Sequence, residues 1–194
     1  MRKLIVSEWM TLDGVFDSDM MDQWFHPFES DERAAYIREG VLTSDMFLFG
    51  RVTYEMLAPF WSHAKHNEMG IVDKMNSMAK YVVSSAPLNV PWKNTMRLQG
   101  NIVEEIAKLK QQSGQNIRIA GSATLVRSLK STGLIDEYRF LVHPMIMESG
   151  KRFFKERGDT SRLKLVHTET FSKGVVLLCY QPDNQDALAN PLSL

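Results

Sequence analysis

Apolar residues recur along the chain with two different periods, and each change of period marks an element. Residues 4–10, Leu-Ile-Val-Ser-Glu-Trp-Met, are β-branched and aromatic enough to predict a strand, which the turn pair Asp13-Gly14 ends. A polar loop from Asp17 to Ser30 follows, carrying Trp24, Phe25, His26, Pro27 and Phe28. Ser30 or Asp31 then caps a helix predicted to run to about Leu42, with Asp31 and Glu32 well placed in its first turn. Met46-Phe47-Leu48-Phe49 is apolar throughout, the pattern of a strand covered on both faces, and Gly50 closes it. Val52 to Leu57 reads as helix, Pro59 to Gly70 as loop, and residues 71–79 as a helical turn or two.

Lys80-Tyr81-Val82-Val83-Ser84 predicts another buried strand, stopped by Ser85-Ala86-Pro87. Asn101 heads an amphipathic helix in which Ile102, Val103, Ile106 and Leu109 share a face, Glu104 reaches back to the cap, and Gly114 ends the run. Ile117 to Ala120 is a strand, and Gly121-Ser122 open a helix whose Leu125, Val126 and Leu129 face inward before Gly133. Asp136 to His143 gives a strand that Pro144 halts, and Leu163–Thr170 with Val175–Tyr180 form a hairpin about Ser172-Lys173-Gly174. The alternation predicts one α/β domain over residues 1–181, with a mostly parallel mixed central sheet, helices on both faces and a C-terminal antiparallel hairpin. Residues 182–194 read as a surface tail.

Composition narrows the function classes. The 194 residues carry 23 Lys plus Arg against 23 Asp plus Glu, so no basic excess points to nucleic acid or to an anionic membrane. Hydrophobic residues at 44% and charged residues at 24% describe a folded globular chain rather than a disordered one. The single Cys179 lies in an apolar run, which suits a buried, inert thiol in a reducing compartment. The first apolar stretch is broken by Ser7 and Glu8 too early for a secretory leader, and no run approaches the roughly 20 residues of a membrane helix, so the expected location is the cytoplasm.

Several chemical signatures are missing. No G-x-G-x-x-G follows the first strand, no P-loop is present, and Gly121-Ser122-Ala123-Thr124 lacks the spacing of a nucleophile elbow. His63 and His66 have no companions to complete a metal set, and no metal site is expected. What remains are three strand ends: Gly50-Arg51-Val52-Thr53, Ser84-Ser85, and Gly121 to Thr124. Ligands of open α/β sheets sit outside the carboxyl ends of the strands. Two glycines there admit close backbone approach before a helix whose free N–H groups attract an anion, a combination suited to a pyrophosphate. Arg51 with the paired serines suits a further phosphate on a ribose.

These segments, taken together, resemble the dihydrofolate reductase-like superfamily, and within it the reductase domain of riboflavin biosynthesis, the RibD C-terminal domain. The matching residues are Thr11-Leu12-Asp13-Gly14, Trp24 to Phe28, Phe49-Gly50-Arg51-Val52-Thr53-Tyr54-Glu55, Val83-Ser84-Ser85, Ala120 to Leu125, and His143-Pro144 followed by Gly150 and Phe153. They occur in family order over nearly the whole chain. The resemblance implies an NADPH site in which Gly50, Arg51 and Thr53 hold phosphates, Ser84 and Ser85 lie on the adenosine 2′-phosphate side, and Gly121, Ser122, Ala123 and Thr124 take the pyrophosphate. It also places Asp13, Gly14 and Trp24 beside nicotinamide and substrate. Asp13 is the first candidate for fixing or protonating the substrate, His26 the second and ordered water the third. A homodimer acting on a small molecule is implied as well.

Two departures bear on the substrate. Dihydrofolate reductases carry a carboxylate on their first long helix, and an ungapped count puts Ala34 there. Riboflavin-pathway reductases usually read Glu-Gly-Gly where this chain has Ala120-Gly121-Ser122. The implied activity is NADPH-dependent hydride transfer to a small heterocycle, nearest to 5-amino-6-(5-phosphoribosylamino)uracil reductase. The alternatives are a reductase of another pterin- or pyrimidine-like compound, dihydrofolate itself being disfavoured, and a catalytically drifted NADP-binding protein.

Overall fold

A computed structural model of the chain describes residues 1–67, 70–154 and 160–183. Eight strands form one sheet in the order β4-β3-β2-β5-β1-β6-β8-β7. They are β1 (Leu4–Thr11), β2 (Ser44–Gly50), β3 (Ala79–Val83), β4 (Thr95–Leu98), β5 (Asn116–Ala120), β6 (Glu137–His143), β7 (Leu163–Thr170) and β8 (Val176–Pro182). Every pair from β4 across to β6 is parallel, while β8 runs antiparallel to β6 and to β7. The α-helices are α1 (Met21–Trp24), α2 (Asp31–Leu42), α3 (Arg51–His63), α4 (Val72–Ser77), α5 (Ile102–Gln111) and α6 (Ala123–Leu129).

The period-two alternation of β2 sorts the helices into two layers. Met46 and Leu48 pack with Ile106 and Leu109 of α5 and with Leu125, Val126 and Leu129 of α6. Phe47 and Phe49 point the other way, against Tyr54 and Ala58 of α3 and Met75 of α4. Further along that second face, Ile37 of α2 and Trp24 of α1 cover Leu141, Leu177 and Cys179. Cys179 is buried, and burial pushes its thiol pKa up, as expected for an inert thiol. No described helix is long and apolar enough to cross a membrane.

Three elements differ from the sequence expectation, one of them the short α1, which lies inside the stretch read as a polar loop from Asp17 to Ser30. The helix read as Val52 to Leu57 runs on to His63, through Pro59, so the loop expected from Pro59 begins only after that residue. Pro59 lacks the N–H for one intrahelical bond. Burial of Tyr54 and Ala58, with the Tyr54 hydroxyl donating to the Val90 carbonyl at 2.7 Å, holds the helix on the sheet regardless. The short edge strand β4 was not expected from its sequence, Thr-Met-Arg-Leu, which carries no clear alternation. It is secured by the buried Lys80, whose ammonium donates to the carbonyls of Met78 and Lys93 at 2.7 and 3.0 Å. The tail expected from residue 182 lies, beyond Asp183, outside the described residues.

Candidate functional site

The three strand ends singled out above converge on one rim. Gly50 pairs with Val83 in the β2–β3 ladder, so Ser84 and Ser85 leave β3 beside the start of α3. On the other side of β2, β5 ends at Ala120, in register with Ser7 of β1. The two glycine turns touch: the Gly50 N–H donates to the Ser122 hydroxyl at 2.9 Å. Gly121 has φ +63°, and a Cβ there would stand 2.8 Å from the Thr53 methyl. Only glycine permits both that torsion and that approach.

The rim helices differ in their starts from α2 and α5. Helix α2 is capped by the Ser30 side chain and α5 by Asn101, which exchanges hydrogen bonds with Glu104. Helices α3 and α6 start at Gly50 and Ser122 with no side-chain cap. Their first-turn N–H groups therefore face the rim without a side chain to accept them, an arrangement that attracts an anion.

The expected ligand-binding residues divide into groups. Arg51 is exposed at the head of α3, and its guanidinium lies 3.6 Å from the buried Oε1 of the half-buried Glu55, beyond hydrogen-bond distance, which leaves it able to turn to a ligand. Ser85 is exposed at the same rim, and Thr53 is half-buried against Gly121. The Thr124 hydroxyl accepts from Arg127 at 3.0 Å. Ala123 is buried in the core by its methyl, so only its main chain can serve a ligand. Ser84 departs from expectation: it is buried, and its hydroxyl donates to the Ala86 carbonyl at 2.6 Å, closing its own turn.

Beyond β1, Asp13 is a strap rather than a free acid. Its carboxylate accepts from the Thr11 hydroxyl at 2.6 Å, from the main-chain N–H of Met147 and Glu148 at 3.2 and 3.0 Å, and from Arg152 at 3.1 Å. Burial opposes its ionisation, but the donors from Thr11, Met147 and Glu148 outweigh it and bring the pKa down to about 2. The part of the expectation that made Asp13 a proton donor is corrected on that ground. Gly14, at φ +82°, turns the chain so that its carbonyl accepts from the Phe153 N–H at 3.0 Å. Asp17 extends the same brace by taking the main-chain and side-chain nitrogens of Lys151, both at 3.1 Å.

The aromatic loop is a plug under this brace. Trp24 is buried, donates its indole N–H to the Asp17 carbonyl at 3.0 Å, and packs edge-on against His143. The place beside nicotinamide and substrate that the resemblance implies for Trp24 does not suit a ring so enclosed, and its substrate-binding role is corrected on that ground. His26 is exposed, with its ring nitrogens toward Glu29 at 2.8 Å and Asp22 at 3.8 Å, contacts within its own loop. That engages it locally and gives it no link to the rim.

Sequence reasoning gave no role to the pair beneath the plug. His143 is fully buried, with Nε2 2.9 Å from the Arg33 guanidinium and Nδ1 3.2 Å from the Met10 carbonyl. Arg33 can only donate, so Nε2 accepts and Nδ1 carries the hydrogen. Burial above all, with the Arg33 charge adding to it, pushes the imidazole pKa down to about 4. Arg33 also donates to the Phe25 carbonyl at 3.1 Å and lies over the Phe25 ring. It is Arg33, not Ala34, that α2 turns inward; Ala34 is exposed, so the position counted as the substrate-gripping one is on the solvent side. Glu8 was missed as well. It is buried on β1, its Oε1 has no hydrogen-bond partner, and burial raises its pKa well above the ordinary carboxylate range. Its one signal was a charge inside an apolar strand pattern.

Against this geometry, comparisons with known proteins are informative. The family described as "RibD C-terminal domain" matches residues 2–177. An uncharacterized protein of Bacillus subtilis, YyaP, is 31% identical over 138 residues, which cover 70% of this chain and 73% of YyaP. Among solved structures, a putative riboflavin biosynthesis protein from Shewanella superposes with a TM-score of 0.70 at 20% identity, covering 93% of this chain and 99% of the other. Dihydrofolate reductase from Enterococcus faecalis, complexed with NADP(H), gives a TM-score of 0.59 at 14% identity over 93% of this chain and 96% of its own.

Proposed function

Because the chain belongs to the RibD C-terminal domain family, we propose that it is a reductase that uses NADPH to reduce a small heterocycle of the pyrimidine or pterin kind. The observation that carries this reading is the contact between two uncapped helix starts, made by the Gly50 N–H and the Ser122 hydroxyl at 2.9 Å. Two sets of unpaired amides set side by side at the switch point of a parallel sheet suit a pyrophosphate. The fold shared with an NADP(H)-bound dihydrofolate reductase adds support.

The residues present fit such a cofactor. Gly121 keeps the main chain bare where a side chain would collide with Thr53. In this reading the amides from Gly121 to Thr124 and the start of α3 hold the pyrophosphate, while Arg51 and Ser85 take the ribose phosphate. NADPH supplies the hydride when bound. The chain's own work is orientation and the exclusion of water. The Asp13 strap and the Asp17–Lys151 contacts fix the loops around the end of β1, and the Trp24 plug closes the layer beneath them. Asp13 is ionised and His143 is enclosed, so the proton for the atom next to the reduced carbon comes from solvent.

A second reading has its own support. Ala120 offers no side-chain acceptor, and α2 turns a cation, Arg33, inward rather than an acid. A protein that binds NADPH without turning over would follow from these changes. Fluorescence titration with NADPH, followed by an acceptor screen, separates the two: turnover supports the reductase, and binding with no turnover across pyrimidine and pterin acceptors supports the binder. In the same titration, Arg51→Ala weakens NADPH by roughly 10- to 100-fold and NADH much less, since a charge-assisted contact is worth roughly 1.5–3 kcal/mol. Equal losses for both cofactors would remove Arg51 from the ribose phosphate.

A further inference from the structure

On the sheet face beneath α2, Ile5, Ser7 and Trp9 of β1 stand beside Arg118 and Ala120 of β5 and beside Glu137 and Arg139 of β6. Strand β1 is central in the sheet, where a helix laid across the face ordinarily buries what lies under it. Ser7, Trp9 and Ala120 are nevertheless only half-buried. A cleft therefore remains between α2 and the sheet, with its mouth at the rim, where β5 ends at Ala120.

Below that mouth lies a buried cation without a counter-ion. Arg118, level with Ile5, is 5% exposed. Gly40 makes room for it, since a Cβ on that helix position would stand 2.5 Å from Nη2. Its Nε donates to the Ser44 hydroxyl at 3.3 Å, and among the described residues no carboxylate lies within salt-bridge distance of its fork. The nearby acid, Glu137, is already engaged by Arg139 at 2.6 Å and by the exposed Lys3 at 3.7 Å. Burial, with repulsion from Arg139 behind it, brings the Arg118 pKa down to about 10, so the group stays charged at neutral pH. The C-terminal end of α2 offers it partial negative charge, which falls short of a full anion. One turn earlier on α2, the buried Tyr36 hydroxyl has no hydrogen-bond partner among the described residues. Burial pushes its pKa up to about 12 and keeps it a donor.

We propose that the cleft beneath α2 receives a substrate whose heterocycle carries a carboxylate, with the Arg118 fork as its counter-charge and the Tyr36 hydroxyl as a second donor. Buried charges ordinarily stand beside a partner, and here the partner is supplied by the ligand. Two guanidiniums against one carboxylate leave a single positive charge beneath α2, which suits a planar monoanion rather than a phosphate dianion. At the mouth, Ala120 adds no acid that would repel it. The inference rests on the reductase reading only in taking this cleft as the place of the molecule to be reduced.

Titration calorimetry on the full chain, with and without NADPH, tests it with uracil-6-carboxylate and pterin-6-carboxylate, each against its neutral carboxamide, and with inorganic phosphate. At least one carboxylate should bind about tenfold or more tightly than its amide. Arg118→Met should abolish that preference, Arg118→Lys should keep part of it, and Tyr36→Phe should weaken the carboxylate by about threefold and leave the amide unchanged. Since Met replaces a charge that the empty protein leaves uncompensated, Arg118→Met should melt no lower than wild type. No preference for either carboxylate in wild type, a preference that survives Arg118→Met, tighter binding of phosphate than of the carboxylates, or a fall in the melting temperature of Arg118→Met would each overturn the proposal. The two readings fail separately: NADPH that does not bind counts against the reductase, while a carboxylate preference that Arg118→Met removes upholds the cleft with or without it.

Discussion

His143 illustrates how one side chain can hold two strands and a loop without touching solvent. Its Nδ1 hydrogen is given to Met10 on β1, its Nε2 lone pair to Arg33, and its ring edge to Trp24. A second proton has no place, since it would meet the Arg33 guanidinium. Nitrogen-detected NMR should therefore find this imidazole neutral, with the Nδ1–H tautomer, titrating at about 4 rather than 6.5. The folded-state value lies below the unfolded one, so the unfolded chain binds the extra proton first. Stability is complete above about 6.5 and falls as pH drops toward 4, by about 3 kcal/mol in total. An imidazole titrating at or above the ordinary value would remove the buried Arg33–His143 bond from the structure. None of this was legible in the sequence beyond a histidine before a proline at a strand end, because its partner is 110 positions away. Asp13 and Trp24 stood out in the sequence, but not as strap and plug. Their roles depend on donors from Met147, Glu148 and Lys151 that only the folded chain brings close.

At the level of elements, the rim depends on how closely α3 and the β5–α6 turn approach. Gly121→Ala should raise two costs at once: a positive φ, and a Cβ 2.8 Å from the Thr53 methyl. Together they should destabilise the fold by about 1–3 kcal/mol and weaken NADPH, because the displaced turn carries the amides. Adding Thr53→Ser removes the methyl and keeps the hydroxyl. Calorimetry should show part of the lost Tm returning in the double variant, with the torsional share unrecovered. No recovery would mean that α3 and this turn are not packed as described. The glycine turns were visible in advance because a Gly at the junction of strand and helix has a local cause. Helix α3 past Pro59 and strand β4 were not. Tertiary contacts sustain both, Tyr54 to Val90 in one and Lys80 to Lys93 in the other, where local propensity argues for loop.

For the molecule as a whole, the parallel order from β4 to β6 brings residues from positions 13, 51, 85 and 121 to one end of the sheet. The alternation of strand and helix foretold that architecture. The fixing of the loops at that end was hidden, since it is built from side chain to main-chain contacts of long range. Asp13 is the centre of that fixing, and it sets an acid limit for the molecule distinct from that of His143. Its carboxyl falls from 3.8 to about 2 on folding, so the stability it confers is present above the unfolded value and disappears as pH falls through the folded one. The group is partly exposed, and solvent screening reduces that contribution to about 1 kcal/mol. Asp13→Asn should therefore lower stability by about that amount at neutral pH, where the charge-assisted bonds are lost, and leave a flatter denaturation profile between pH 4 and 2 while the His143 limb above pH 4 keeps its slope. Hydrogen exchange should become faster at Met147 and Glu148, whose amides lose an ionised acceptor, and stay unchanged in β2 and β5. If the variant instead kept the wild-type slope below pH 4, the loop after β6 would be held by something other than this carboxylate, and the closed end of the site would need a different account.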